Sequence, residues 1–220
     1  MRLFTLTIAL VSVIALTALA ASAAFAAETL WTFLPGAEKT AFTGTSGKGV
    51  LETTGKSKIE CTSSEIKAGE GEITKEKTLG FATVHFLGCK AFGFPANSLG
   101  DAKEIILVPV ELHNCLISAG HAGISFKLLT GLHLEVPAVT LLLIIEGSFI
   151  GEITPIKVPG KIYKLIIEQE KPGKQKIKKC EGGVEQHLLT SIDGKAFEVS
   201  GEEAEKGEVL FTVVAQEAMV

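Results

Sequence analysis

Along most of this chain apolar and polar residues alternate one by one. In "KSKIEC" Ile59 and Cys61 fall on one side and Lys58 and Glu60 on the other. In "GFATVHFLGC" Ala82, Val84 and Phe86 share a face, against Phe81, Thr83, His85 and Leu87. A period of two is that of a half-buried β-strand. Further short runs, "GISFKL", "LHLEV", "VTLLLII", "SFIGEIT" and "KIYKLIIEQ", each end at Gly, Pro or a charge. "EIILVPVEL" carries Pro109 inside, which predicts an edge strand or a bulge, because proline cannot donate to a ladder. Beyond the N-terminal segment no long stretch of helical period occurs. The pattern predicts an all-β chain, an antiparallel sandwich or barrel-like domain.

The C-terminal part makes local predictions. In "HLLTSIDGKAFEVS", Asp193-Gly194 supplies the positive φ values of a type I′ turn, so a hairpin is expected. "GEVLFTVVA", residues 207–215, is expected as a third strand of the same meander, and the acidic "GEEAEKG" between them as an exposed loop. The tetrapeptide "GEIT" occurs twice, at residues 71–74 and 151–154. "GKSKIEC" at 55–61 resembles "GKQKIKKC" at 173–180. Such echoes arise from duplication or from chance among Lys- and Ile-rich strands.

The N-terminus breaks the alternation. Arg2 precedes an apolar run, and small residues follow with Ala24-Phe25-Ala26 as an A-x-A site. This is the three-part pattern of a signal peptide, here residues 1–27, leaving 28–220 as one β-rich secreted domain. The rival is an uncleaved anchor, for which the run is long enough. The apolar run at residues 139–145 is too short to span as a helix and reads as a buried strand.

Export changes the reading of the cysteines. The four, Cys61, Cys89, Cys115 and Cys180, are an even set in an oxidising compartment, so disulfides are expected. No C-x-x-C motif occurs. Three pairings are open; Cys61–Cys89 with Cys115–Cys180 is favoured, the first worth roughly 3 kcal/mol if unstrained. A metal site built on His113 and Cys115, same-facing on a strand, would need a reduced thiol.

Other chemistry leaves few marks. The formal charge of −4 argues against nucleic acid, whose phosphates require clustered cations. There is no G-x-S-x-G elbow, no phosphate-cradling glycine set and too little aspartate for a calcium loop. No cofactor motif is present. The many glutamates fit a solvated strand face better than a glycosidase pair. Trp31 reads equally as a core plug, a tail residue or a sugar platform. Lys171, Lys174, Lys176, Lys178 and Lys179 read as an exposed strand that discourages edge pairing, or as contacts to an anionic polymer. The expected function is a secreted or envelope-associated β protein without catalysis, binding a protein or cell-envelope partner or serving as structure. The alternative is a secreted hydrolase using His85, His113, His121 or His133 with nearby glutamates.

"GSFIGEITPIK", then "KCEGGVEQHLLTSIDGKAFE", together with "IECTSS" and Gly88-Cys89, resembles a group of exported bacterial proteins of unknown function. The shared elements are G-S-x-I-G-x-I-T-P, a later E-G-G and a T-S-x-[DN]-G turn, over residues 44–89 and 147–199. The resemblance implies export and β structure. It brings no activity, ligand or catalytic residue.

Overall fold

The computed structural model describes residues 32–33, 40–76, 78–101, 104–154, 162–204, 208–213 and 218–219. The expected signal segment and Trp31 lie outside them. Among the described residues the chain is almost all strand, without an α-helix, and its antiparallel sheet curves into a half-barrel. The first strands are β1 (Thr32–Phe33), β2 (Thr40–Ser46), β3 (Gly49–Thr53), β4 (Lys58–Cys61), β5 (Ser63–Ile73) and β6 (Leu79–Leu87). Three two-residue strands follow, β7 (Lys90–Ala91), β8 (Phe94–Pro95) and β9 (Asn97–Ser98). The middle holds β10 (Ile105–Ser118), β11 (His121–Leu128), β12 (Leu132–Val136) and β13 (Leu141–Thr154). The last are β14 (Ile162–Ile166), β15 (Gln169–Lys171), β16 (Lys174–Gln175), β17 (Leu188–Ile192), β18 (Glu198–Ala204), β19 (Glu208–Val213) and β20 (Ala218–Met219).

Apart from the two-stranded ladders β1–β20 and β15–β16, the pairings form two connected parts. In the first, β11, β10, β6, β5, β2, β19, β14 and β13 pair in that order, and β13 pairs back to β11. Every neighbour in this circuit is antiparallel. In the second sheet β9, β12, β13, β17, β18, β3, β4, β7 and β8 follow one another. The strand shared by both is β13. Residues 141–147 pair with β12 and β17, and residues 148–154 with β11 and β14. The turnover falls at Gly147, whose φ is +99° and whose missing Cβ would lie 2.1 Å from the His187 carbonyl oxygen. Only glycine accepts both that dihedral and that approach.

Alternation sets what each part buries. Inside the circuit Phe42, Val110, Ile124, Ile153 and Tyr163 are at most 2% exposed. Burying each large apolar side chain contributes roughly 1.5–3 kcal/mol, and about eight strands enclose a space that side chains can fill. On β6, Ala82 is buried inward and Val84 and Phe86 on the same face are half-buried against the core, as the alternation requires. Cys61 is bonded to Cys89 (Cα–Cα 4.0 Å), tying β4 of the second sheet to the end of β6. Cys115 is bonded to Cys180 (Cα–Cα 5.8 Å), fastening residues 176–187 as a strap across the outer face of β10, β11 and β13.

Several expectations need correction. Pro109 sits in neither an edge strand nor a bulge. Its strand lies between β6 and β11, and its register with β6 is unbroken from Ile105 to His113. Its carbonyl accepts from the Leu129 amide just where β11 has ended, so the missing N–H breaks no β10–β11 rung. Of "VTLLLII", Val139 ends a 3-10 turn and Thr140 is left-handed; from Leu141 the run joins "SFIGEIT" in one long strand, β13, turned at Gly147. Asp193 (φ +53°) and Gly194 (φ +72°) make the expected turn, closed by the Lys195 amide donating to the Ile192 carbonyl. However, β19 does not extend that meander. It pairs with β14 and β2, whereas β18 pairs with β17 and β3. The acidic link is largely strand, with β18 running through Ala204; residues 205–207 lie outside the described set.

Candidate functional site

Where the second sheet crosses the end of the circuit, two adjoining cavities open, each of about 60 Å³. Leu51, Leu134, Ile145 and Leu188 of the second sheet form one wall of the first, and Ile106 and Leu128 of the circuit the other. The second lies within the circuit against Ile66, Val84, Val110, Leu165 and Ile167. Phe86, Val108, Phe149 and Glu202 border both. Phe149 stacks on Phe126 with ring centroids 4.9 Å apart. Native interiors rarely keep voids larger than a water molecule. At about 24 cal/mol per Å³, each lobe left empty costs about 1.4 kcal/mol.

The polar groups lie to one side. Glu202 is 9% exposed, and Glu65, Ser46 and Ser64 border only the second lobe. The position of Glu202 is set by Gln175. The Gln175 amide donates to the Glu202 carbonyl at 3.1 Å and accepts from the Glu202 amide at 3.0 Å, standing in for a strand beyond the end of β17.

The histidines do not meet. His85 sits beneath a bulge in which residues 66–70 of β5 face only residues 83–84 of β6. Its Nε2 lies 2.5 Å from Glu70 Oε2, and neither atom has another partner among the described residues. His113 contacts Glu111 at 2.9 Å, His121 contacts Glu152 at 2.6 Å, and His133 is exposed on the second sheet. No group of three or more His, Cys, Asp and Glu converges among the described residues. His121 and Glu152 share an outer pocket of about 160 Å³ with Glu168 and Lys176. There the hydrogen bond from Lys176 to Glu168, then the charges of Glu168 and Glu152, raise the Lys176 ammonium above its ordinary pKa. Lys178 likewise bonds Glu170 and lowers its carboxyl pKa. Two lysines of the basic stretch are therefore already paired with carboxylates.

A larger groove, about 260 Å³, lies between the strap and the outer face of the circuit. The ladder aligns Glu111, Lys127 and Ser148 across β10, β11 and β13, with His113 beside Ser125 in the next row. Above them the strap brings Val184, Glu185 and Gln186. Ser125 Oγ donates to Gln186 Oε1 at 2.6 Å. Sequence reasoning singled out His113 alone of these. Ser125, Lys127, Gln186 and Glu202 carry no local signal, since only strand register and the strap bring them to a site.

No protein-family model matches the chain, nor does any curated protein or solved structure. The two disulfides fit an oxidising extracellular environment. No helix among the described residues is long and apolar enough to cross a membrane.

Proposed function

We propose that this chain is an exported, secreted or envelope-associated β protein without catalytic function, and that its apolar double cavity takes up a small apolar molecule. The observation that carries the reading is the cavity: two adjoining voids at the join between two sheets, walled mainly by aliphatic and aromatic side chains, with Glu202 at the edge of both and Ser46, Ser64 and Glu65 beside the second. A dry apolar void recovers its lost contacts when an apolar guest enters. The signal pattern of residues 1–27 and the oxidised cysteines support export. Titrating the disulfide-intact mature protein with benzene, toluene and n-hexane tests the reading by thermal melting. A saturable rise in melting temperature is expected with one of them. The Val108→Phe variant, whose ring would intrude where the two lobes adjoin, is expected to abolish that rise. If no guest shifts the wild-type melting temperature, the cavity is not a binding site.

A hydrolase is the second reading, favoured by Ser125 standing across the ladder from His113, which contacts Glu111. A serine nucleophile must pass its proton to the base. The Ser125 proton points to Gln186 instead. Ester and peptide substrates, compared between wild type and Ser125→Ala, decide the matter: activity lost with Ser125 would replace the binding reading.

A further inference from the structure

The groove under the strap is chemically unlike the apolar cavity. Its floor presents Lys127, which is exposed and makes no ion pair among the described residues, next to Ser148 on β13. Glu111 is the ladder neighbour of Lys127 on β10, but its carboxylate contacts His113. The roof presents Glu185, whose side chain is 63% exposed and 3.4 Å from His187, and the Gln186 amide. Val184, 80% exposed, and the Cys115–Cys180 disulfide supply an apolar side. Donors thus line the floor, and a carboxylate stands on the roof. The charged groups that line the groove are the Lys127 ammonium and the Glu185 carboxylate, with the Glu111 carboxylate next to Lys127 on the ladder and turned to His113. That balance does not suit a simple anion, which Glu185 would repel. It suits a molecule carrying both signs.

We propose that this groove binds a small zwitterion of the amino-acid type. Its carboxylate accepts from Lys127 Nζ, the Ser148 hydroxyl and the Gln186 amide, its ammonium faces Glu185, and a short apolar side chain lies against Val184 and the disulfide. The strap is half of the site, so the disulfide that fastens it is also what holds the two charged walls apart at a fixed spacing.

The test uses the disulfide-intact mature protein and three isosteric probes: L-valine, isobutyrate, which lacks the ammonium, and isobutylamine, which lacks the carboxylate. Two-dimensional amide NMR follows Lys127, Ser148 and Glu185. Valine is expected to give saturable shifts at these residues, with the other two at least about tenfold weaker, the loss of one charge-assisted hydrogen bond. Lys127→Gln and Glu185→Gln should each weaken valine about tenfold without changing the melting temperature, because both side chains are exposed. Val108→Phe, in the apolar cavity, should leave valine binding unchanged, which separates this site from the one proposed above. Absence of saturable valine shifts overturns the proposal. So does equal binding of isobutyrate, or an unaltered affinity in Lys127→Gln.

Discussion

The two disulfides clamp unlike regions. Cys61–Cys89 stands at the wall of the apolar cavity, where two sheets meet and nearly every neighbour is aliphatic. Cys115–Cys180 stands on the outer face, where it holds a strap over a groove of charged and hydroxyl side chains. The inner region is organised by exclusion of water and the outer one by a covalent tether. A strap with only Cys180, Ile177 and few other apolar anchors has too little surface to hold itself down by burial alone. Covalent closure is thus needed most where the hydrophobic contribution is smallest.

The largest test of that contrast removes apolar contact from the inner region. Phe42→Ala, at a fully buried position inside the circuit, should cost about 4 kcal/mol in urea unfolding. A cost below about 1 kcal/mol would mean that the circuit interior is loosely packed. Next come the disulfides. Chain entropy makes the closed loop of 65 residues worth about 4 kcal/mol and that of 28 about 0.7 kcal/mol less. Comparing Cys115→Ala/Cys180→Ala with Cys61→Ala/Cys89→Ala by denaturant midpoint reads the order. The opposite order would show that packing around the cavity outweighs loop closure. In the outer double variant, amide exchange should rise over residues 176–187 while the circuit keeps its protection.

Gly147→Ala probes the corner where the inner and outer regions share a strand. With a positive φ and the His187 carbonyl in the way, the added methyl should cost about 2 kcal/mol or more. An alanine tolerated there would mean the bend is soft. The smallest effect is electrostatic. Lys48 donates to Glu60 at 2.7 Å and lowers the Glu60 carboxyl below its usual pKa. A depressed carboxylate contributes stability above its unfolded pKa and loses it as pH falls through the folded value. Because both side chains are about half exposed, Lys48→Met should cost no more than about 0.5 kcal/mol at neutral pH and nothing at pH 2. The Glu60 carboxyl titration, followed by NMR, should move up in the variant.

Particular residues show where the sequence was legible. The faces of β4 and the first half of β6 follow directly from alternation, while His85 on the outer face of β6 is buried by the bulge of β5, and Asp193-Gly194 makes its turn because two adjacent positive φ values suit few other pairs. The repeated "GEIT" has a positional reading. In both copies Gly and Ile are buried and Glu and Thr are less so, and each glycine makes room for a large neighbour, Phe42 beside Gly71 and Leu165 beside Gly151. Pro109 misled because its penalty depends on whether the neighbouring strand still runs opposite it, and β11 has ended there. The strand of residues 208–213 misled because nearness along the chain does not choose a partner when several edges are open.

By itself the sequence determined the strand character, the facing of side chains along each strand, the turn at Asp193-Gly194 and an even set of cysteines, since all of these rest on interactions within a few residues. The tertiary structure alone decided which strands pair, where the two sheets join, and that Lys127, Ser148 and Glu185 face one groove while Glu202 borders an apolar cavity. Those arrangements depend on register between segments tens of residues apart, and the free energy that selects register is spread over the whole buried face.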